Sequence, residues 1–353
     1  AGASGAIQRL RIFHGSTLLE DIDQYGALMA LLIPFQVSSD DAKGKQRLLA
    51  GVHVGAGESL GVAEDGVIDA TGGGDDETTH HYAISLLSIL SSDSYVPLWA
   101  LTGAPLRLEI TWVSSIAKFV TSSQPLVEPD VGATFNNVRL MANFIEMNDS
   151  GMAKVYDSLQ DGVVEWVTQS YSNFQHNVTL GTSIQQVSMA IPAKYNSLKA
   201  LYFTFRERSA GVATYFADAS TSCNLASYTT RVGSKLIDSQ TSTTPEFLTE
   251  MLRALGSIGN RVDPNCFTKA QYSLVTDAQS YTQSGCFALG VETESYSSAP
   301  MGSTYSGMNT SNADIFFQPV FNAQPNAANI LIDCFASHDK LIIIQNGASS
   351  VQL

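Results

Sequence analysis

Residues 11–20 read RIFHGSTLLE, and residues 229–238 read TTRVGSKLID. Each stretch is a short strand pattern followed by Gly-Ser, one variable residue, a leucine, an aliphatic residue and an acid. The glycine supplies the left-handed backbone or the close approach that a tight chain reversal needs. Both stretches lead within about ten residues into an amphipathic helical pattern, DIDQYGALMALL after the first and PEFLTEMLRAL after the second.

The two corners, Gly15 and Gly233, are 218 residues apart (233 minus 15), which is the length of a domain and not of a solenoid unit. The chain therefore looks like two copies of one β-domain. In the second copy, strand patterns from Ile184 to Val232 precede the corner, whereas in the first copy only the strand beginning at Ile7 does. We infer that the chain begins inside the first barrel, whose early strands are missing or are supplied by something else. Chance similarity between two hairpin turns is the alternative.

Strand patterns outnumber helix patterns along the chain. Alternation of apolar and polar residues predicts strands at residues 7–13, 106–113, 138–147, 184–191, 198–205, 228–232, 287–292, 315–321, 330–335 and 341–345. Helical spacing covers residues 18–32 and 152–167, and a third helix starts at Thr244-Pro245 and stops at Gly256. Residues 84–90 fit a buried helix or strand, and residues 36–74 are loop-like. Many short strands punctuated by Gly, Pro and Asn indicate a sandwich or barrel.

The composition suits a β-rich protein with a neutral polar surface that neighbours cover. Charged residues make up 15% of the 353 residues, against about 25% in ordinary globular proteins. The net charge of −14 and the lack of any block of Lys or Arg argue against direct nucleic-acid binding. The four cysteines lack metal-ligand spacing, and Cys286 and Cys334 lie in apolar runs, so we expect buried free thiols.

Two loop motifs have a chemical interpretation and a plainer structural one. Residues 55–57 with Gly61 are similar to a phosphate loop but lack the following Lys-Ser/Thr, so a flexible loop is favoured. A second loop could bind a metal cation, although a solvated acidic loop is favoured because its Gly-rich setting fixes no geometry. The residues of that second loop are Asp75, Asp76, Glu77, His80 and His81.

Single polar residues in the strand patterns are also given structural roles. His14 and His338 lie at predicted turns, where a hydrogen-bonded structural histidine is favoured over a general base. Asp333 is expected to face outward or to pair at a subunit contact. Arg206, Glu207 and Arg208 are interpreted as a rim charge cluster that bridges subunits, and Trp99, Trp112 and Trp166 as core or interface anchors. We therefore predict no catalytic, cofactor-binding or metal-binding residue and no cofactor.

Four stretches follow one another in a distinctive order. They are RLRIFHGSTLLEDIDQYGALMALL (residues 9–32), VPLWALTGAPLRLEITWV (96–113), VRLMANFIEMNDSGMAKVYDSL (138–159) and residues 287–321 with ILIDCFASHDKLIIIQNG (330–347). In order and spacing they resemble the double jelly-roll major capsid proteins of icosahedral DNA viruses, the lineage of nucleocytoplasmic large DNA viruses, virophages and polinton-like viruses. Pro300, Met301, Gly302 and Asn312 match a loop between two strands near the end of that family's second barrel.

The resemblance implies an all-β chain of two jelly-roll β-barrels in tandem, with short helices. Residues 1–150 would form the first barrel, without its N-terminal strands, residues 151–181 a connecting helix and linker, and residues 182–353 the second barrel. Long loops at residues 54–81, 207–228 and 295–313 would become outward towers.

The resemblance also implies a structural protein of the virion, assembled in the host cell, and not an enzyme. Three chains of this family form a pseudo-hexagonal capsomer that tiles an icosahedral shell. Its partners would be itself, as homotrimer and neighbouring capsomers, then minor capsid or penton proteins and an internal membrane. A jelly-roll carbohydrate- or receptor-binding spike module is the alternative. A cupin-like enzyme would need two histidines and a carboxylate at close spacing, and the sequence has no His-x-His.

Overall fold

The structure of the chain is a computed structural model. It describes residues 2–50, 81–91, 95–114, 134–159, 162–207, 220–241, 244–256, 265–275, 285–294, 306–323 and 328–352. Within these ranges strands predominate, and the named strands pair antiparallel. The described helices include none that is both long and apolar enough to cross a membrane.

The strands have the following bounds. They are β1 Ile7–His14, β2 Thr17–Asp23, β3 Leu106–Trp112, β4 Val163–Leu180, β5 Gln185–Gln186, β6 Met189–Ile191, β7 Leu198–Glu207, β8 Leu225–Val232, β9 Lys235–Thr241, β10 Leu289–Glu292, β11 Ile315–Phe321, β12 Ala328–Gln345 and β13 Ala348–Gln352.

The helices are short elements beside the sheets. They are α1 Tyr25–Gln36, α2 Ser39–Asp41, α3 Arg47–Ala50, α4 Asp149–Ser158, α5 Thr244–Ala254 and α6 Lys269–Tyr272. Single turns of 3-10 helix cover Gly2–Ala6 and Ile89–Ser91, and a π-helical turn covers Ala42–Gln46.

Three antiparallel sheets organise the described strands. The first-corner sheet has the order β2-β1-β3 and contains the Gly15 corner. The second-corner sheet has the order β5-β11-β8-β9, with β6 also on β11, and contains the Gly233 corner. The long-strand sheet has the order β10-β7-β12-β13, with β4 also on β12.

The two glycine corners have the same backbone geometry. Gly15 and Gly233 both have a φ of +59°, in the left-handed region that glycine adopts without strain. The Gly15 N–H donates to the carbonyl of Pro105 at 3.2 Å, and the Gly233 N–H donates to the carbonyl of Asp314 at 2.8 Å. In each case the acceptor is the residue that precedes the third strand of the corner, β3 or β11. The corners are therefore built on the same three-strand plan.

Irregularities of the two hairpins also coincide. The register of the β1–β2 pair shifts between Ile12 and Phe13, and that of the β8–β9 pair shifts between Thr230 and Arg231. Each shift lies between the third-last and the second-last residue of its strand. A β-bulge is a specific local feature, so its recurrence at the matching position indicates a shared template and not a chance turn.

The third strand of each corner pairs in the same register over its whole length. Residues of β1 map onto β8 by adding 218, and residues of β3 map onto β11 by adding 209 (315 minus 106). At the far end the Val113 N–H donates to Ala6 at 2.9 Å, and the Asn322 N–H donates to Asn224 at 2.9 Å. Gly15 and Gly233 therefore lie in equivalent strand surroundings.

The second-corner sheet packs face to face with the long-strand sheet through aromatic side chains. Phe203 of β7 stacks on Phe317 of β11 with ring centroids 3.8 Å apart, and both side chains are fully buried. Phe205 lies edge-on to Phe321 at 5.6 Å. Alternate residues of each strand point to the same face, so a sheet with one apolar face buries that face against a second sheet.

Strands β4 and β12 pair along all of their residues, from Val163 opposite Gln345 to Leu180 opposite Ala328. One end of this ladder packs with residues of β1 and β2, and the other end packs with β7 and the second-corner sheet. The two long strands thus connect the two halves of the chain.

Several sequence-based assignments are corrected by these pairings. Residues 330–335 and 341–345 are not two strands, because β12 continues through His338 and Asp339 without a turn. The helix expected at residues 152–167 ends at Ser158, and strand β4 begins at Val163, where a linker was expected. Residues 17–23 form strand β2 before α1 begins at Tyr25.

Residues 138–147 are not a strand in the described structure. They have no regular secondary structure, and all of them are exposed. Alternation alone predicted a strand there, but a strand is stabilised by hydrogen bonds to a neighbouring strand, and none of the described strands pairs with this segment. The 184–191 strand is split into β5 and β6. Residues 84–88, where a buried helix or strand was expected, are irregular and lead into the 3-10 turn at Ile89–Ser91.

Candidate functional site

The middle of the β4–β12 ladder is polar and buried, whereas both of its ends are apolar. Trp166, Ile342 and Ile344 belong to one apolar core, and Ile332 and Cys334 belong to another. Between them lies a group of buried polar residues that we call the junction belt: Thr168, Ser170, Ser337, His338, Asp339 and Lys340. Buried polar groups need internal partners, so the belt is the place where geometry is most strongly specified.

Glu20, from β2, enters the junction belt with 0% of its surface exposed. One carboxylate oxygen accepts a hydrogen bond from the Ile89 N–H at 3.0 Å, and the other accepts one from the Ser170 hydroxyl at 2.9 Å. Burial raises the pKa of Glu20 to about 7, although these hydrogen bonds and the charge of Lys340 act in the opposite direction.

Lys340 joins the same group from β12. Its ammonium donates to the carbonyl of Leu19 at 2.9 Å. Burial lowers the pKa of Lys340, and the negative charge of Glu20 partly offsets this effect. Burial therefore disfavours the charged forms of both Glu20 and Lys340. Strand β2 is held against β4 and β12 by the hydrogen bonds of Ser170 and Lys340 as well as by the attraction between the two charges.

A second polar cluster fixes the belt to β7. The Ser197 hydroxyl donates to Asp339 at 2.6 Å. The Lys199 ammonium lies 3.4 Å from Asp339 and 3.3 Å from Glu294. Because its charged groups face one another, this cluster holds the strands in one register without leaving Asp339 uncompensated.

His338 lies in the belt, in the middle of a continuous strand and not at a turn. Its ring stacks on Tyr195 with centroids 3.8 Å apart, and Nδ1 lies 3.2 Å from the carbonyl of Ala336. Burial, followed by the charge of Lys340, lowers the pKa of His338 to about 3. A ring that stays neutral and is closed off from solvent fits the predicted structural histidine.

His14 is also buried, at the last residue of β1. Its Nδ1 is hydrogen-bonded to the Ser349 hydroxyl at 2.8 Å, across to β13 near the end of the chain. This contact ties the first corner to the C-terminal strand, so His14 likewise has a structural position.

The expectation that Asp333 faces outward or pairs at a subunit contact is wrong. Asp333 is 0% exposed and forms an ion pair with Arg206 of the neighbouring strand β7 within the same chain. The amides of Asn173 and Gln175 donate to the same carboxylate at 3.2 and 2.7 Å. Both faces of β12 are covered at this point, so strand alternation could not place the side chain in solvent.

The same pair corrects the proposed rim cluster. The side chain of Arg206 is 5% exposed and points to Asp333, so it is not available to bridge subunits. Glu207 is half-buried at the end of β7. Arg208 lies outside the described residues.

The three tryptophans differ in burial. Trp166 is a core residue, Trp112 is half-buried and stacks on Phe135 at 4.3 Å, and Trp99 lies edge-on to Tyr156 at 5.4 Å. The four cysteines are free and buried. Burial raises the pKa of the Cys266 thiol to about 11 and that of Cys334 still further, so both stay protonated.

The two loop motifs lie almost entirely beyond the described ranges. Residues 55–57, Gly61 and all members of the acidic loop except His81, which is exposed, are outside them, as are Pro300, Met301, Gly302 and most of the expected tower loops. Among the described residues no group of three or more His, Cys, Asp or Glu side chains could hold a metal ion.

The junction belt and its partners therefore form buried hydrogen bonds and ion pairs that hold neighbouring strands together. Sequence reasoning missed Glu20 and Lys340, although one signal was present: Asp339 and Lys340 interrupt the apolar run of β12 without any Gly, Pro or Asn beside them. A charged pair inside such a run indicates buried partners from elsewhere in the chain.

No protein-family model and no curated protein sequence matches the chain. Three similar solved structures come from viral shells. The PBCV-1 protein VP54, fitted into a reconstruction of the virophage Sputnik, has 11% identity and a TM-score of 0.57 over 100% of this chain and 84% of its own. A chain of the PBCV-1 virus capsid has 12% identity and a TM-score of 0.53 over the same shares.

The third is a chain of the Sputnik virophage, with 9% identity and a TM-score of 0.51 over 100% of this chain and 75% of its own. Identities this low establish a likeness of fold alone, yet the likeness extends over the whole chain. The resemblance seen in the sequence and the likeness of fold point to the same proteins, and this chain has the fold of the major capsid proteins of PBCV-1 and the Sputnik virophage.

Proposed function

We propose that this chain is a major capsid protein whose two jelly rolls stand in tandem and whose trimers form pseudo-hexagonal capsomers of an icosahedral shell. The observation that carries the proposal is the residue-for-residue match of the two glycine corners within a chain that has the fold of viral capsid proteins. A duplicated barrel gives each subunit two similar lateral modules, and three subunits then offer six, the number that a hexagonal lattice needs.

The exposed apolar surface supports assembly. Met141, Phe144 and Ile145 are 91%, 76% and 64% exposed, and they lie in one irregular segment with further exposed apolar residues. Soluble monomers seldom expose contiguous apolar patches of this kind. We infer that residues 138–147 are covered by a neighbouring subunit in the assembled shell.

The proposed location is the virion capsid, and the proposed partners are other copies of the chain, then minor capsid or penton proteins and an internal membrane. The net charge of −14 disfavours direct contact with a genome. The buried, hydrogen-bonded positions of both described candidate bases, His14 and His338, agree with a role without catalysis.

Mass in solution tests the proposal. The expected result is a stable species of three times 37.8 kDa, with hexagonal arrays in electron micrographs of particles. Truncating Met141 and Phe144 to Ser should weaken the trimer, whereas Asn143→Ser, an exposed polar change in the same segment, should not. A monomer that binds a carbohydrate column would refute the capsid role and favour a jelly-roll recognition module.

A further inference from the structure

Three side chains form a row across the outer face of the first-corner sheet. Phe13 of β1 lies opposite Leu18 of β2 and, on its other side, opposite Arg107 of β3. Residues directly opposite one another in antiparallel strands project from the same face of the sheet. Ile12, next to Phe13, is fully buried, so the row lies on the face that points away from the core. Leu18 is 42% exposed, and the Arg107 guanidinium lies 4.7 Å from the centre of the Phe13 ring. We call Leu18, Phe13 and Arg107 the first corner row.

The second-corner sheet has a row at the same place. Arg231 of β8 lies opposite Leu236 of β9 and opposite Phe316 of β11. All three side chains are exposed, and the adjacent Phe317 is fully buried, so this row also lies on the outer face. We call Leu236, Arg231 and Phe316 the second corner row. Its leucine and phenylalanine lie outside the core, so packing among the described residues does not account for apolar side chains at these positions.

The two rows occupy equivalent positions and have the same composition. Adding 218 takes Leu18 to Leu236 and the middle residue Phe13 to Arg231, and adding 209 takes the β3 member to the β11 member. Each row thus has one leucine, one phenylalanine and one arginine, with the last two exchanged between the strands. A single exposed apolar residue needs no explanation. The return of three residue types at three matched positions indicates that the chemistry of the row as a whole is what matters.

The neighbouring positions on the same outer faces differ between the two sheets. In the first-corner sheet they include Arg11 and Glu109, whose side chains form an ion pair at 3.1 Å. The equivalent residues of the second-corner sheet, by the same additions, are the uncharged Thr229 and Gln318. The likeness of the corner rows is therefore not a general likeness of the two faces.

The chemistry of the rows suits an acidic protein surface. Arginine and aromatic residues are enriched at the centres of protein interfaces, and a guanidinium binds a carboxylate through a planar fork of N–H groups. Arg107 uses its Nε for Glu109, 3.2 Å away in the same chain, and a guanidinium has further N–H donors for a second carboxylate.

A second copy of the chain provides such a surface. The net charge of the chain is −14, and acids such as Glu146, Asp149 and Asp157 are exposed. Opposite charges on the two surfaces favour their contact. Two rows of one composition on one chain also call for a partner that is met twice, and copies of a two-corner chain satisfy this condition.

We propose that both corner rows are contact surfaces for neighbouring copies of this chain. The inference rests on the proposed function, because it names the surfaces through which subunits of the shell touch one another. The leucine and phenylalanine of each row are buried by the neighbour, and the arginine binds one of the neighbour's carboxylates. Each subunit then makes two contacts of the same chemistry, one at each corner.

A photo-crosslinking side chain tests the contacts directly in the full chain. The variants Leu18→benzoylphenylalanine and Leu236→benzoylphenylalanine are each mixed with heavy-isotope wild-type chain, allowed to assemble and illuminated. Both probes should give crosslinks between a light and a heavy chain, whereas the same probe at Leu98, which is 44% exposed and lies on neither row, should give few. Crosslinks confined to single chains, no crosslinks at all, or crosslinks between chains from only one of the two rows would overturn the proposal.

An exchange of residues tests whether the composition of the row is what the neighbour recognises. Phe13→Arg alone should weaken self-association about tenfold, because it replaces a buried aromatic contact by a second cation. Adding Arg107→Phe gives the first row the residue order of the second row, and it should restore self-association to within about threefold of wild type. Sedimentation over a range of concentrations measures both. No loss in the single variant, or an equal loss in the single and double variants, would contradict the proposal.

Failure of this inference differs from failure of the proposed function. Trimers and hexagonal arrays that form as in wild type with Phe13→Arg and with Leu236→Ser would reject the corner rows as contacts and leave the capsid role standing. A wild-type chain that stays monomeric at every concentration would reject the capsid role itself, and the inference with it.

Discussion

Replacing Glu20 with Gln should make the protein more stable at neutral and alkaline pH. The pKa of Glu20 in the folded chain is about 7, against the ordinary value of 4.5, with burial as the main cause. A carboxyl group whose folded pKa is raised stabilises the fold below its unfolded pKa, and this stability is lost as the pH rises from 4.5 through about 7.

The magnitude follows from the shift. Each pKa unit corresponds to about 1.4 kcal/mol, so ionising Glu20 costs the fold about 3 kcal/mol once the pH is above 7. Gln is close in shape to the protonated acid: its carbonyl can accept from Ile89, and its amide can donate to the Ser170 oxygen. Glu20→Gln should therefore remove most of this loss, since the pKa of about 7 already includes the attraction of the carboxylate to Lys340.

Chemical unfolding of both proteins across this pH range gives the answer. The stability difference, variant minus wild type, should grow as the pH rises from 4.5 to about 7 and then level off. The difference removes the general effect of the net charge, which is common to both. Asp21→Asn is the control, since Asp21 is a half-exposed neighbour in an ion pair with Arg9 at the surface. A pH-independent difference, or a variant that is less stable at every pH, would refute the argument.

Three further outcomes are expected. Gly15→Ala and Gly233→Ala should both destabilise by about 1 kcal/mol or more through their positive φ, and Gly15→Ala should cost more because its added Cβ would lie 2.9 Å from a neighbouring side chain against 3.9 Å at Gly233; equal Tm losses would contradict this. Asp333→Ala should cost about 3–5 kcal/mol because it leaves a buried guanidinium uncompensated, and denaturant titration would expose a smaller effect. The Cys334 thiol should react with a maleimide only on global unfolding, since it is buried with a raised pKa; rapid labelling of the native protein would show that the sheet opens locally.

Local features were readable because their causes are local. The left-handed corner at Gly15, the stop at Gly256 with φ of +77°, and the strand at Ile315–Phe321 follow from backbone preferences and from alternation within a few residues. The repeat of the corner was visible for the same reason, since both copies need a residue with the same positive φ at the turn. The helical spacing at residues 152–167 misled because helix and strand patterns overlap in short apolar segments.

By itself the sequence determined a mainly antiparallel β chain with a duplicated glycine corner. Only the tertiary structure decided that β12 runs unbroken through His338, that Asp333 pairs with Arg206 in the interior, and that Glu20 meets Lys340 in the junction belt. Alternation distinguishes the two faces of a strand, but it cannot tell whether the second face meets water or another part of the chain. That depends on residues hundreds of positions away, which the fold brings together.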